Sequence, residues 1–126
     1  MFTKVIVIGM NPSALPADEK IRKNHTIDRL FKWMSQCGVD YFSFTNCAHE
    51  PGRVKFKNVD YEFLLTNIQG YNKIIALGGF ASDVLKRIGI NHFKLPHPSP
   101  RNRALNDKSY EKTVLKECEQ YIWDVA

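Results

Sequence analysis

"KIIALGGFASDVLKRIG", Lys73 to Gly89, changes its period midway. The run from Lys73 to Gly78 is continuously apolar, as a strand buried on both faces is. After it, Ala81, Val84, Leu85 and Ile88 recur at helical spacing, and Gly89 can end that helix. Gly78 and Gly79 permit the tight turn between the two. A buried strand that runs straight into a helix is half of a βαβ unit.

The same switch recurs on both sides. "KVIVIG" (Lys4 to Gly9) is another continuous apolar run, and Ile27, Leu30, Phe31 and Met34 mark a helix that Gly38 can close. "YFSFTN" (Tyr41 to Asn46) alternates Phe42 and Phe44 with Ser43 and Thr45, as a strand does. Tyr61, Leu64, Leu65 and Ile68 mark a helix ending near Gly70. "NHFKL" (Asn91 to Leu95) is a short fourth strand. A last helix is predicted from about Asp107 to Trp123, with Tyr110, Val114, Leu115, Cys118 and Ile122 facing inward. Trp33, Phe80 and Trp123 read as core or partly buried packing. Strands alternating with helices imply a three-layer α/β/α sandwich around a central, four-stranded, mainly parallel sheet. At 126 residues the chain suits one domain, 1–126.

Bulk properties narrow the setting. Hydrophobic residues make up 44% and charged residues 25%, ordinary values for a globular protein. No apolar run approaches the roughly 18 residues of a membrane span, and the N-terminal run reads as a strand. Cys37, Cys47 and Cys118 form no CxxC pair, so a reduced, cytoplasmic setting is expected, without zinc or an iron–sulfur cluster. The net charge is +5, and no acid occurs from Val84 to Asn106, where Lys86, Arg87, Lys94, Arg101 and Arg103 lie. "KIRK" (Lys20 to Lys23) and "RVKFK" (Arg53 to Lys57) add smaller clusters. Such runs read either as solvated faces or as phosphate-binding surface.

Ligands of open parallel sheets bind beyond the carboxyl ends of the strands. The segments there are "GMNPS", "NCAHEPG", "GGFAS" and "PHPSPRN", the four least ordinary stretches of the chain. Asn11 precedes Pro12, Asn46 closes the second strand on the face of Phe42 and Phe44, and His97 stands between Pro96 and Pro98. Pro96, Pro98 and Pro100 stiffen the loop around the histidine. An asparagine amide offers donors and an acceptor that match a nucleobase edge, and a histidine can donate to an oxygen gaining charge. For Asn11 an Asn-Pro turn stands beside the functional reading, and for Asn46 a strand-end turn. His25 and His49 read as surface or loop residues and His92 as structural.

"GMNPS" followed by "HPSPRN" resembles the two signature motifs of the uracil-DNA glycosylase superfamily, above all its single-strand-selective monofunctional and mismatch-specific members. "FSFTN" resembles the superfamily's middle motif, and "IIALGGFASDVL" the segment before the second signature. The resemblance runs from about Val5 to Arg103. It implies that Asn11 positions the attacking water and that His97 stabilises charge on the uracil O2. It further implies that Asn46 bonds the Watson–Crick edge and that the Met10 backbone approaches the base. Ser99 would hold flanking phosphates, and Arg101 and Asn102 would wedge into the vacated stack, with Arg103 adding to the DNA surface. The family's stacking aromatic follows its first motif, but Ser13 to Thr26 hold no aromatic, so the stacking is either lost or supplied by Phe44 or another ring. No signature motif carries a Schiff-base lysine, so a monofunctional enzyme is expected.

The expectation is a monomeric DNA glycosylase without metal or organic cofactor, acting on uracil or a related pyrimidine in single-stranded or mismatched DNA. Its setting would be cytoplasmic, nucleoid-associated or intracellular viral. Two rivals are an inactive DNA-binding relative of the same fold and an unrelated α/β domain that binds a free nucleotide.

Overall fold

A computed structural model describes residues 3–11, 25–99 and 102–124. Four strands form one sheet: β1 (Val5–Gly9), β2 (Ser43–Asn46), β3 (Lys73–Leu77) and β4 (Phe93–Leu95). Their order is β2-β1-β3-β4, and all pairs are parallel. The helices are α1 (His25–Gln36), α2 (Tyr61–Ile68), α3 (Gly78–Arg87) and α4 (Lys108–Trp123). Short 3-10 turns at Phe56–Asn58 and Arg103–Asn106 complete the described elements. Among them no helix is long and apolar enough to cross a membrane.

Strand order dictates the layers. The chain leaves β1 toward β2 on one side, then returns across β1 to β3 and onward to β4. Right-handed crossovers in opposite directions place their helices on opposite faces. The buried clusters agree. Val5, Val7, Ile75, Leu77 and Leu95 pack with Leu30, Trp33 and Met34 of α1 and with Cys118 and Ile122 of α4. Ile6, Ile8, Ile74 and Ala76 pack with Leu64 and Ile68 of α2 and with Ala81, Val84 and Leu85 of α3. Alternate residues of each central strand thus supply opposite cores, which is why β1 and β3 read as unbroken apolar runs. The result is an α/β sandwich with helices on both faces of an all-parallel sheet.

Side-chain hydrogen bonds fix the helices. Asp60 caps α2 by accepting from Phe63 N at 3.0 Å, and Asp107 caps α4 by accepting from Ser109 N at 2.9 Å. The Trp33 indole donates to Glu111 Oε1 at 3.0 Å, joining α1 to α4. The Tyr121 hydroxyl accepts from Ile74 N at 3.1 Å, seating α4 on β3. Four residues of the expected apolar pattern and packing turn out exposed: Phe31 at 57%, Leu65 at 40%, Tyr110 at 42% and Trp123 at 47%. The stripe of α1 that faces the sheet runs through Leu30, Trp33 and Met34, so it leaves Phe31 at its margin. Trp123 lies beyond the sheet, where its indole donates to Cys37 O at 2.7 Å.

Candidate functional site at the strand ends

The order β2-β1-β3-β4 has its switch point between β1 and β3, the place where open parallel sheets bind their ligands. The loops after all four strands meet this edge. Met10 and Asn11 follow β1, Asn46 ends β2, Gly78 follows β3 and His97 follows β4.

On the β2 side, Asn46 pairs with Gly9. A Cβ on Gly9 would lie 2.6 Å from Asn46 Oδ1 and 2.8 Å from Phe44 Cζ. Both side chains therefore fold across the end of β1, and only glycine leaves room for them. Thr45 turns to the opposite face and is buried, while Phe44 stays 42% exposed. The ladder continues past the strands: Cys47 N donates to Gly9 O at 2.9 Å and Ala48 N to Met10 O at 3.0 Å. This fixes the Met10 backbone beside the Asn46 side chain.

Asn11 ties two loops together. Its Nδ2 donates to Glu50 O at 3.0 Å and to Gly52 O at 2.8 Å. Two carbonyl partners identify that atom as the nitrogen and leave Oδ1 as the acceptor end of the amide. The loop so held bounds a cavity of about 340 Å³ lined by Ala48, Glu50, Pro51, Arg53, Val54 and Asn58. None of the site residues expected from the sequence lines it. Two broader clefts, of about 510 and 720 Å³, run along α4, and none of the expected site residues lines them either.

On the β4 side, Gly78 adopts φ +84°, a conformation other residues rarely take, and the chain turns there from β3 into α3. A Cβ on Gly78 would lie 3.5 Å from His97 Cβ, so the histidine packs directly on this turn. Ser99 N donates to His97 Nδ1 at 3.2 Å. A backbone N–H only donates, so Nδ1 accepts, and the neutral ring carries its proton on Nε2. The residue is exposed overall, but the inner part of its ring is shielded, and this desolvation pushes its pKa below the ordinary histidine value. His97 is therefore held as a neutral imidazole with Nε2–H as its donor.

The rest of the loop is bonded inward. Asn102 Nδ2 donates to His97 O at 2.9 Å, while its Oδ1 accepts from Ala104 N at 3.2 Å and caps the following 3-10 turn. The Asn102 amide is thus occupied in shaping the loop. Arg29 of α1 reaches Ser99 O with Nη1 at 3.4 Å. Arg103 is exposed at the start of the 3-10 turn. Arg101, Pro12 and Ser13 lie outside the described residues, as does the His25 side chain.

The other histidines have local partners. His49 Nε2 bonds Asp60 Oδ2 at 2.9 Å and its ring packs edge-on against Phe63. The Phe63 N–H and His49 together hold the Asp60 carboxyl below its usual pKa. His92 lies between Ser82 Oγ and Ile90 O, each at 2.8 Å. Two positioning residues had no functional reading in the sequence: Gly9 was only the end of an apolar run and Arg29 one polar residue of a helix. Lys94 Nζ lies 3.9 Å from where a Gly79 Cβ would stand, beside the start of α3.

Comparison with known proteins adds nothing to these contacts: no protein-family model, no curated protein and no solved structure matches the chain significantly.

Proposed function

We propose that the chain is a DNA glycosylase of the uracil-DNA glycosylase type, hydrolysing the N-glycosidic bond of uracil or a related pyrimidine. One observation carries the reading: the loop after β4 sets His97 Nδ1 as the acceptor of the Ser99 N–H, which leaves Nε2–H as the donor of the neutral ring. A neutral donor suits a leaving group that departs as an anion. It strengthens its hydrogen bond as charge grows on the base oxygen.

The remaining residues take complementary roles. The flipped base would lie over the β1–β2 end, where the Asn46 amide meets its Watson–Crick edge and the Phe44 ring meets its face. Asn11 Oδ1, oriented by the two carbonyls on Nδ2, accepts a hydrogen bond from the attacking water. The water oxygen bonds C1′ as the bond from C1′ to the base nitrogen breaks. The water's proton is lost to solvent and the base leaves as an anion held by His97, later taking a proton from solvent. The abasic strand stays intact. Ser99 and Arg103 border the DNA backbone, and Asn102 keeps the His97 loop in shape.

The test uses end-labelled strands with one uracil, single-stranded or opposite guanine or adenine, incubated in chelator and then treated with hot alkali. The expected result is uracil-dependent cleavage that falls about 10²–10³-fold in His97→Ala, the usual effect of removing one such donor. It falls steeply in Asn11→Ala as well. DNA binding without cleavage on any substrate would instead assign the chain to a non-catalytic role.

A further inference from the structure

Phe31 is out of place for a soluble surface. It belongs to the apolar pattern of α1 yet is 57% exposed. Its ring lies 5.2 Å from that of Phe42, tilted by 48°. Phe42 is partly buried against the α1/α4 core, and Phe44, next on the same face of β2, is 42% exposed. β2 is an edge strand. Phe31, Phe42 and Phe44 therefore form a ribbon of rings along the sheet margin that leads to Asn46 at the strand end.

We propose that the outer rings of this ribbon, Phe31 and Phe42, are a stacking platform for unpaired bases flanking the target nucleotide, with Phe44 left to the target base itself. That role rests on the reading of the strand ends as a DNA-directed site and adds the path by which a single strand reaches it. Three observations support this occupant. Residues two apart on a strand are separated by about 6.6 Å, close to the step between nucleotides of an extended single strand. Aromatic rings on a sheet are a recurring way to hold successive unpaired bases, whatever their sequence. The chain carries a net charge of +5, which favours a polyanion and opposes docking of a second equally charged copy. The ribbon is also continuous with the candidate site, because the Phe44 ring tip already lies across Gly9 beside Asn46.

The experiment compares labelled oligothymidylate with an all-abasic strand of equal length by fluorescence anisotropy at fixed salt. The two strands carry the same phosphates and no uracil, so contacts to the bases separate them, and the Phe31 variants tell stacking on the ribbon from contacts at Asn46. The wild-type protein is expected to bind oligothymidylate the more tightly. Phe31→Ala should lower that affinity about fivefold or more, and Phe31→Trp should retain it. Phe31 is exposed, and melting curves of both variants check that they fold. Equal binding of the two strands, or an unchanged affinity in folded Phe31→Ala, would overturn the platform. So would self-association in sedimentation that Phe31→Ala abolishes without base-dependent binding, since the ribbon would then face a second copy. Failure of the glycosylase reading looks different: base-dependent, Phe31-dependent binding would persist without uracil excision.

Discussion

Replacing Gly9 by alanine separates the site from the fold. The new Cβ would stand 2.6 Å from Asn46 Oδ1 and 2.8 Å from Phe44 Cζ. Ordinary contact starts near 3.5 Å, so the amide and the ring must each retreat by roughly 0.7–0.9 Å. A methyl forced into a packed core costs about 1–3 kcal/mol. Here the atoms in the way are the ends of two side chains at the margin of the sheet, one of them substantially exposed. The cost should fall near the lower limit, about 1 kcal/mol, or roughly 4 °C in Tm for a chain of this size. A displacement of that size at a group that orients the base costs far more in rate, about 10²-fold. Uracil excision in single turnover and thermal melting measure the two quantities on the same preparation. Near-wild-type excision by a normally melting Gly9→Ala protein would refute the placement of Asn46 and Phe44 over the bound base.

Two further outcomes follow from the His97 loop. The folded-state pKa of His97 is lowered by desolvation, so the unfolded chain binds the proton more readily than the native one. Stability should therefore be at its plateau above the ordinary histidine value near 6.5 and decline as pH falls below it toward the depressed pKa. Urea denaturation across that window should show this slope in the wild type and a shallower one in His97→Gln. Excision should fall over the same range, since a proton on Nδ1 breaks the Ser99 N–H contact that orients the ring. Asn102→Ala removes the donor to His97 O and the cap on Ala104 N, at a cost of about 1–2 kcal/mol. Its excision should fall in kcat with little change in DNA affinity; an equal loss in DNA affinity would show that Asn102 meets the DNA itself.

The sheet was legible because β1 and β3 are central. A strand buried on both faces must be apolar throughout, and "VIVI" and "IIAL" satisfy that demand. Edge strands are less constrained, and the differences fall there. β2 begins at Ser43 and β4 at Phe93, each two residues after its expected start. Helix faces were misjudged where a large ring stands at the margin of a stripe, as Phe31 and Tyr110 do, since periodicity alone does not measure how far a stripe extends. Asn11, Asn46 and His97 drew notice as polar residues at strand ends, and the topology does place them on one edge of the sheet. What the sequence could not disclose is partnership at a distance. The bonds from Asn11 to Glu50 and Gly52, and from Arg29 to Ser99, join residues that no local pattern relates. Asn102 illustrates the same limit at short range: its amide is turned toward His97 O, which depends on a loop path that three prolines restrict but do not determine.

The parallel order of the strands has a consequence for how the protein comes into being. Every strand pairing joins segments separated by a whole crossover, so contacts form between distant parts of the chain and assembly is slow compared with that of a helical bundle. The strand-end residues belong to loops that follow different strands, with His97 the furthest along the chain, in the loop after β4. No fragment shorter than the β1–β4 span brings Asn11, Asn46 and His97 to one edge. Regain of function on refolding would then report that all four strands have paired, a completion that helix content alone does not read.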